Sequence, residues 1–205
     1  MLFALIALVV LLLGGAALVR TVDSGQLALG NLAFKQDATI ASAQGADAAI
    51  VWIQANSAGV TLHADGAAGT GYYASSKDKL DPTGTATAKD RALIDWEGDG
   101  NCGGADPATF STCNVVPSPA IKDAKTGNEV RFVITRLCAA EGDPAAVDCS
   151  RPAKSSGGNS MDRGAISQGK NNHWAAGGSG PYYRVITRTK GARDTVSFTE
   201  TLVHF

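Results

Sequence analysis

The sequence predicts an α+β protein in which one long N-terminal helix packs on an antiparallel β-sheet. Residues 1–19 are an uninterrupted apolar run, and residues 22–54 continue without proline in an Ala-, Leu- and Gln-rich pattern. Apolar side chains alternate over residues 129–138, as in a strand with two different faces. Residues 182–189 and 195–205 are rich in β-branched and aromatic side chains around a Gly-containing turn, which predicts a hairpin.

The apolar run is long enough to cross a membrane. As a helix it measures about 28 Å, close to the thickness of a bilayer's hydrocarbon core, and Arg20 ends it. A cleavable signal peptide and a simple signal anchor are the alternatives. A signal peptide, however, has a basic segment before a shorter apolar core, and this run has neither property.

Helical character continues beyond Arg20 to about residue 55. Large apolar residues recur at roughly helical intervals and predict the face that packs on the sheet: Leu29, Leu32, Phe34, Ile40, Ile50 and Ile53. An antiparallel sheet needs a cover for its apolar face, and this is the only long amphipathic element available. We therefore divide the chain into a transmembrane half-helix (1–20), an amphipathic half-helix (21–56) and a head domain (57–205).

The middle of the chain is less regular. Residues 60–63 and 71–73 give weak strand signals, and residues 91–96 fit a short strand or a helical turn. In the strong strand at 129–138, Val130, Phe132 and Ile134 lie on one face, while Val133 lies on the other. Residues 150–180 are rich in Gly, Ser, Asn and Lys, which predicts a long mobile loop.

Charge and cysteine content limit the class of protein. The net charge is −1 with acidic and basic residues interspersed, so no nucleic-acid partner is expected. The four cysteines form two local pairs, and the favoured disulfides are Cys102–Cys113 and Cys138–Cys149. Disulfides imply an oxidising compartment. Zinc is the alternative, but its sites normally contain closely spaced cysteine pairs such as C-x-x-C, which are not found here.

One acidic segment has the spacing of an EF-hand calcium loop. Its oxygen-bearing residues, in the order of loop positions 1, 3, 5, 7 and 12, are Asp95, Glu97, Asp99, Asn101 and Asp106. Gly100 occupies position 6, where a sharp turn is required. A solvated acidic turn is the alternative, because position 12 is Asp instead of Glu, Cys102 lies inside the loop and no helices obviously flank it. Ca²⁺ is the only cofactor that the sequence suggests.

Several segments together resemble a known family. They are LVRT at 18–21, GNLAFKQ at 30–36, ASAQGADAA at 41–49, GNEVRFVITRLC at 127–138, YYRVITR at 182–188 and TVSF at 195–198. With the long apolar helix, they resemble type IV pilins and, more narrowly, the PilX family of minor pilins. The resemblance covers the first quarter of the chain well and the last third in patches. No familiar motif identifies residues 57–126.

The resemblance implies a type IV pilin-like fold and a non-catalytic role in pilus assembly. The protein would lie in the bacterial inner membrane as a single-pass protein with its head in the periplasm, and in the pilus filament. Its partners would be other minor and major pilins, bound through the N-terminal helix, and a tip adhesin. The residues singled out on this helix are Met1, Leu5, Gly14, Gly15 and Arg20.

Two features depart from the commonest pilin pattern. Most major pilins carry a glutamate at the fifth mature residue, where this chain has Leu5. Tip-type minor pilins and their type II secretion counterparts often lack that glutamate. The basic leader that prepilin peptidase removes is also absent, so we expect the numbering to start at the mature end or the leader to lie outside this sequence. A type II secretion minor pseudopilin and a membrane-anchored periplasmic binding module are the alternative functions.

Overall fold

A single helix dominates the molecule. The computed structural model describes residues 2–152, 180–191 and 194–205. Helix α1 runs without interruption over Leu2–Asn56, 55 residues in all. The predicted long helix is therefore confirmed in extent and continuity. The predicted mobile loop at 150–180 falls almost entirely outside the described residues.

Helix α1 meets the sheet through small side chains. Its buried positions recur at helical spacing, and they are Ala38, Ala41, Ser42, Gly45, Ala49 and Ile53. The predicted packing face is therefore largely wrong, because Leu29, Leu32 and Ile40 are more than half exposed. Small side chains allow the helix axis to approach the strands closely, which larger residues on that face would prevent.

Within the described residues, eight strands form two sheets. The strands are β1 (Tyr72–Tyr73), β2 (Leu80–Asp81), β3 (Ala92–Ile94), β4 (Thr112–Val115), β5 (Ile121–Lys122), β6 (Glu129–Arg136), β7 (Tyr182–Lys190) and β8 (Val196–His204). The main sheet has the order β1-β6-β7-β8, and β5 also pairs with β6. Strands β5 to β8 are antiparallel as expected, whereas β1 runs parallel to β6.

The second sheet was not expected from the sequence. It consists of β2, β3 and β4 in that order, all parallel. Each of these strands has only two to four residues, too few for an alternating pattern to be recognised. The weak signal at 60–63 also proves to be a 3₁₀ turn, Thr61–His63, instead of a strand.

The central strands of the main sheet, β6 and β7, are covered on both faces. One face packs under α1, where Phe132, Ile134 and Val185 meet Ala49 and Ile53. The other face packs against the second sheet in a cluster of Leu80, Ile94, Trp96, Val115, Val133 and Ile186. The alternation predicted along β6 is thus confirmed, with Phe132 and Ile134 on the helix side and Val133 on the opposite side.

A buried arginine ties four segments together. Arg136, at the end of β6, is fully buried. Its guanidinium donates only to carbonyl oxygens: Ala74 (3.0 Å), Leu62 (2.8 Å), Gly142 (2.9 Å) and Ala140 (3.4 Å). The Tyr72 hydroxyl donates to the same Leu62 carbonyl at 2.7 Å, and burial raises the pKa of that hydroxyl although the nearby guanidinium opposes the rise. A buried charge is stable when its donors are satisfied.

Replacing Gly45 with alanine is expected to destabilise the helix–sheet contact. A Cβ atom there would lie 2.6 Å from both Thr187 Cγ2 and Val130 Cγ1. Overpacking of this kind lowers the free energy of unfolding by about 1–3 kcal/mol, and the better helix propensity of alanine offsets about 1 kcal/mol of that loss. We expect the melting temperature in detergent to fall by a few degrees. Gly25→Ala is the control, because nothing lies near its Cβ; an equal loss in both variants would contradict the prediction.

Replacing Arg136 with methionine is expected to cost about 3 kcal/mol or more, because the guanidinium's hydrogen bonds to four carbonyls would be lost, two of them from the buried residues Leu62 and Ala74. Arg136→Lys should cost less but still weaken the fold, since an ammonium cannot reach all four. Urea unfolding measures both. Arg131→Met on the same strand is the control: its side chain is one-fifth exposed and bonded to Glu129, so it should cost less, about 1 kcal/mol. The prediction fails if the Arg136 and Arg131 variants lose equal stability.

Candidate functional site

The first part of α1 is apolar, and its described side chains are exposed. Its segment Phe3–Val22 has a mean hydropathy of 2.5, none of it buried, and is long enough to cross a membrane. Leu5 and Arg20 are exposed, and nothing lies within 4 Å of a Cβ placed on Gly14 or Gly15. Met1 lies outside the described residues. These helix positions are therefore free for a lipid or a neighbouring helix to contact.

Beyond this segment, α1 carries an apolar stripe that points away from the sheet. The outward stripe consists of Leu29, Leu32, Ile40 and Val51, which are between 52 and 72% exposed. At about 100° per residue these side chains lie on the side of the helix opposite Ala38 and Gly45. The helix thus has two apolar faces, a small-residue face that packs on the sheet and a large-residue face that the described residues leave uncovered.

Two disulfides stabilise the head. Cys102–Cys113 joins the 3₁₀ turn Cys102–Gly104 to β4, and Cys138–Cys149 closes the loop that follows β6. The pairing is the one that the spacing favours. The second disulfide lies next to Ala140 and Gly142, whose carbonyls bind Arg136, so this loop and the buried guanidinium hold each other in place.

The acidic segment at 95–106 does not gather its oxygen atoms around one point. The buried Asp95 carboxylate accepts from the amides of Gly98, Asp99 and Gly100. The remaining side chains bond elsewhere: Glu97 to Arg188, Asp99 to the Asn101 amide, and Asp106 to the Ala108 amide. Among the described residues no three His, Cys, Asp or Glu side chains form a group that could hold a metal ion. Calcium binding stays a prediction.

A groove opens beside this segment, on the face of the head opposite α1. It encloses about 460 Å³ between the turn at 81–84, the turn at 102–105 and the start of β8. The buried Trp96 ring forms part of its lining, donates from Nε1 to the Pro82 carbonyl at 2.9 Å and packs on Phe198. Arg188 lies over the same ring and pairs with Glu97 at 2.7 Å. Sequence reasoning missed this groove because its residues come from distant segments.

The wall of the groove is built on a buried ion pair. Asp81 Oδ2 lies 3.2 Å from Arg91 Nε, without the alignment of a hydrogen bond, and both side chains are less than a tenth exposed. Burial alone raises the pKa of the Asp81 carboxyl, but hydrogen bonds from Ala86, Thr83 and Gly84 outweigh it and hold this pKa below its usual value. The turn at 81–86 therefore depends on an ionised Asp81.

Acid is expected to weaken this turn. Because the pKa of Asp81 is lower in the folded chain, its contribution to stability is complete above about pH 4 and is lost as the pH falls through the folded value. Asp81→Asn should therefore be less stable than the parent at pH 7. The gap should narrow toward pH 3 in urea unfolding measured across that range. A gap that stays constant or widens toward acid would contradict the assignment.

The described residues thus offer an uncovered apolar helix, an outward stripe and a groove on the far face of the head. The comparisons with protein-family models, with curated proteins and with solved structures find no match to this chain. Any function must therefore be inferred from these surfaces and from the sequence resemblance.

Proposed function

We propose that this chain is a minor pilin that takes part in type IV pilus assembly, in the priming complex or at the filament tip. The observation that carries the proposal is one continuous helix with a bare apolar first half and a second half packed on the sheet of a disulfide-bonded head. Such a helix can be held in a membrane and later transferred, without refolding, into a bundle of similar helices. Its role is mechanical, with no catalytic step.

The membrane is the first environment that this helix fits. The segment Phe3–Val22 spans about 30 Å as a helix, the thickness of the hydrocarbon core. In a helix all backbone groups of the middle turns are bonded internally, which lipid requires. The two disulfides favour an oxidising compartment for the head, and for a bacterial inner-membrane protein this would be the periplasm.

Packing beside other helices is the second environment. Gly14 and Gly15 carry no side chain and have open space around them, so a neighbouring helix can approach closely there. Below the membrane segment, the outward stripe extends the apolar contact surface along the part of α1 that already belongs to the head. Partners are therefore expected to be other minor and major pilins that present matching helices, with a tip adhesin as a further partner.

Leu5 supports a place at the start of a filament. In most major type IV pilins, the family that this chain resembles, a glutamate at the fifth mature residue interacts with a neighbour's N-terminal amine. Leu5 offers only apolar surface, 64% exposed, and has no charge for that interaction. If Leu5 stands at the fifth mature position, a subunit without this carboxylate suits an initiating or tip position better than a repeating shaft position.

Site-specific photo-crosslinking in cells that express the full-length gene product tests the proposal. A photoreactive side chain in place of Leu32 or Ile40, on the outward stripe, should give covalent adducts with other pilin subunits. The same group in place of Thr85, exposed on the head, is the matched control and should give few. Adducts should also disappear when the pilus assembly proteins are deleted, since the contact forms only in the assembly.

The identity of the adducts decides between the alternatives. Adducts with pilus subunits would support the proposal. Adducts with type II secretion components would identify a minor pseudopilin, whose N-terminal helix would insert and pack in the same way. A membrane-bound chain whose outward stripe gives no adducts, and whose N-terminus is never processed by prepilin peptidase, would overturn both. That result would favour an anchored binding module, for which the groove lined by Trp96 and Phe198 is the candidate ligand site.

A further inference from the structure

We propose that the Cys102–Cys113 disulfide is a site of thiol–disulfide exchange, and that a dithiol reductant opens the groove by breaking this bond. The turn at 102–105 is one of the segments that enclose the groove. The disulfide joins this turn to β4, with the two Cα atoms 6.0 Å apart. The oxidised head therefore has an enclosed groove, and the reduced head loses one of its walls.

The disulfide is the bond that attaches this wall to the rest of the head. Within the described residues, all other hydrogen bonds of segment 101–108 stay inside residues 99–109. No residue of the segment is buried, and none belongs to either apolar cluster. The chain is held firmly again only beyond its two ends, by the buried carboxylate of Asp95 and by the guanidinium of Arg91. Without the disulfide, segment 101–108 is therefore a free loop.

The backbone of Cys102 also favours release of the turn. Its φ is +42°, in the left-handed region that residues other than glycine rarely adopt. Gly100, Gly103 and Gly104 beside it have φ between +70° and +76°, which glycine adopts readily. A cysteine keeps such a conformation only where its surroundings impose it. Because the disulfide supplies that constraint, the turn is expected to relax once the bond is broken.

A reductant can reach this disulfide more easily than the second one. Cys102 and Cys113 are both half-buried, and a Cβ placed on the neighbouring Gly103 would meet nothing within 4 Å. Cys138 of the second disulfide is only 3% exposed. Since exchange requires a thiolate to approach a sulfur atom, the first disulfide should be reduced before the second.

The loop of the second disulfide, in contrast, is held by other bonds. Arg136 donates to two of its carbonyls, and the Ala139 amide donates across the loop to the Asp148 carbonyl at 2.8 Å. This loop is therefore expected to keep its shape when its disulfide is broken, whereas segment 101–108 has no such bonds. The response to reduction is thus confined to the groove.

The exchange is balanced between the reductant and the disulfide. One thiolate of the dithiol attacks a sulfur atom, forms a mixed disulfide and releases the other sulfur as a thiolate. The second thiol of the reductant then displaces the remaining cysteine and closes the reductant's own disulfide. Two electrons and two protons pass in all, so Cys102 and Cys113 end as thiols. The freed turn then uncovers the Trp96 ring, which lines the same groove and is 9% exposed in the oxidised head.

A titration of the full chain in detergent with dithiothreitol, a small dithiol, tests the order of reduction. Free thiols are alkylated at each step, and mass spectrometry of the cysteine peptides measures how much of each pair is reduced. Cys102 and Cys113 should be alkylated while most of Cys138–Cys149 is still oxidised. The inference is overturned if the second disulfide is reduced first, or if both are reduced together.

Acrylamide quenching of Trp96 fluorescence tests the opening of the groove. Trp52→Phe and Trp174→Phe leave Trp96 as the only tryptophan in the chain. The quenching constant should rise several-fold when only the first disulfide is reduced. The cooperative melting transition should remain, because the apolar clusters and the second disulfide are intact. A Cys102→Ser, Cys113→Ser variant should show the high quenching constant without any reductant.

A bridge that resists reduction is the matched control. Diiodomethane links the two reduced thiols through one methylene group, with loss of iodide and a proton at each sulfur. The bridged protein should be quenched as weakly as the oxidised protein, even in dithiothreitol. Two results would overturn the inference. Unchanged quenching on reduction would mean that the wall stays in place without the bond, and loss of the melting transition would mean that the bond supports the whole head.

Discussion

The close approach of α1 to the main sheet is the constraint on which the rest of the molecule depends. Contact at Gly45 leaves no room for a side chain between the helix and the methyl groups of Val130 and Thr187. Because mostly small residues occupy this face, Leu29, Leu32, Ile40 and Val51 are placed on the opposite side, where nothing in the described chain covers them. The stability of the head and the availability of the outward stripe therefore have one cause.

Buried polar groups fix the head alongside its apolar clusters. Arg136 connects the end of β6 to the 3₁₀ turn after α1, to Ala74 after β1 and to the loop closed by Cys138–Cys149. Buried ionic groups are costly unless every donor is satisfied, and here backbone carbonyls take that role without a carboxylate. The second sheet follows the same rule, with Asp81 organising a turn around its ionised oxygens. Short strands with little core area are fixed by such hydrogen bonds.

Long elements with a regular apolar pattern could be predicted from the sequence. Elements that form through contacts between segments far apart in the sequence could not. The helix Leu2–Asn56, the strand β6 and the hairpin of β7 and β8 all show their periodicity over eight residues or more. The packing face of α1 was assigned wrongly because large apolar residues carry the periodic signal, whereas close packing on a sheet favours alanine and glycine. The groove beside Trp96 and the second sheet combine segments of two to four residues, for which no local pattern exists.

The outward stripe and the groove use different parts of the molecule. The outward stripe lies on the side of α1 that faces away from the sheet. The groove lined by Trp96 and Phe198 lies on the sheet face opposite α1. Lateral packing of helices through the stripe therefore buries none of the side chains that line the groove. Because no residue is shared, a contact through α1 leaves the groove uncovered by that contact.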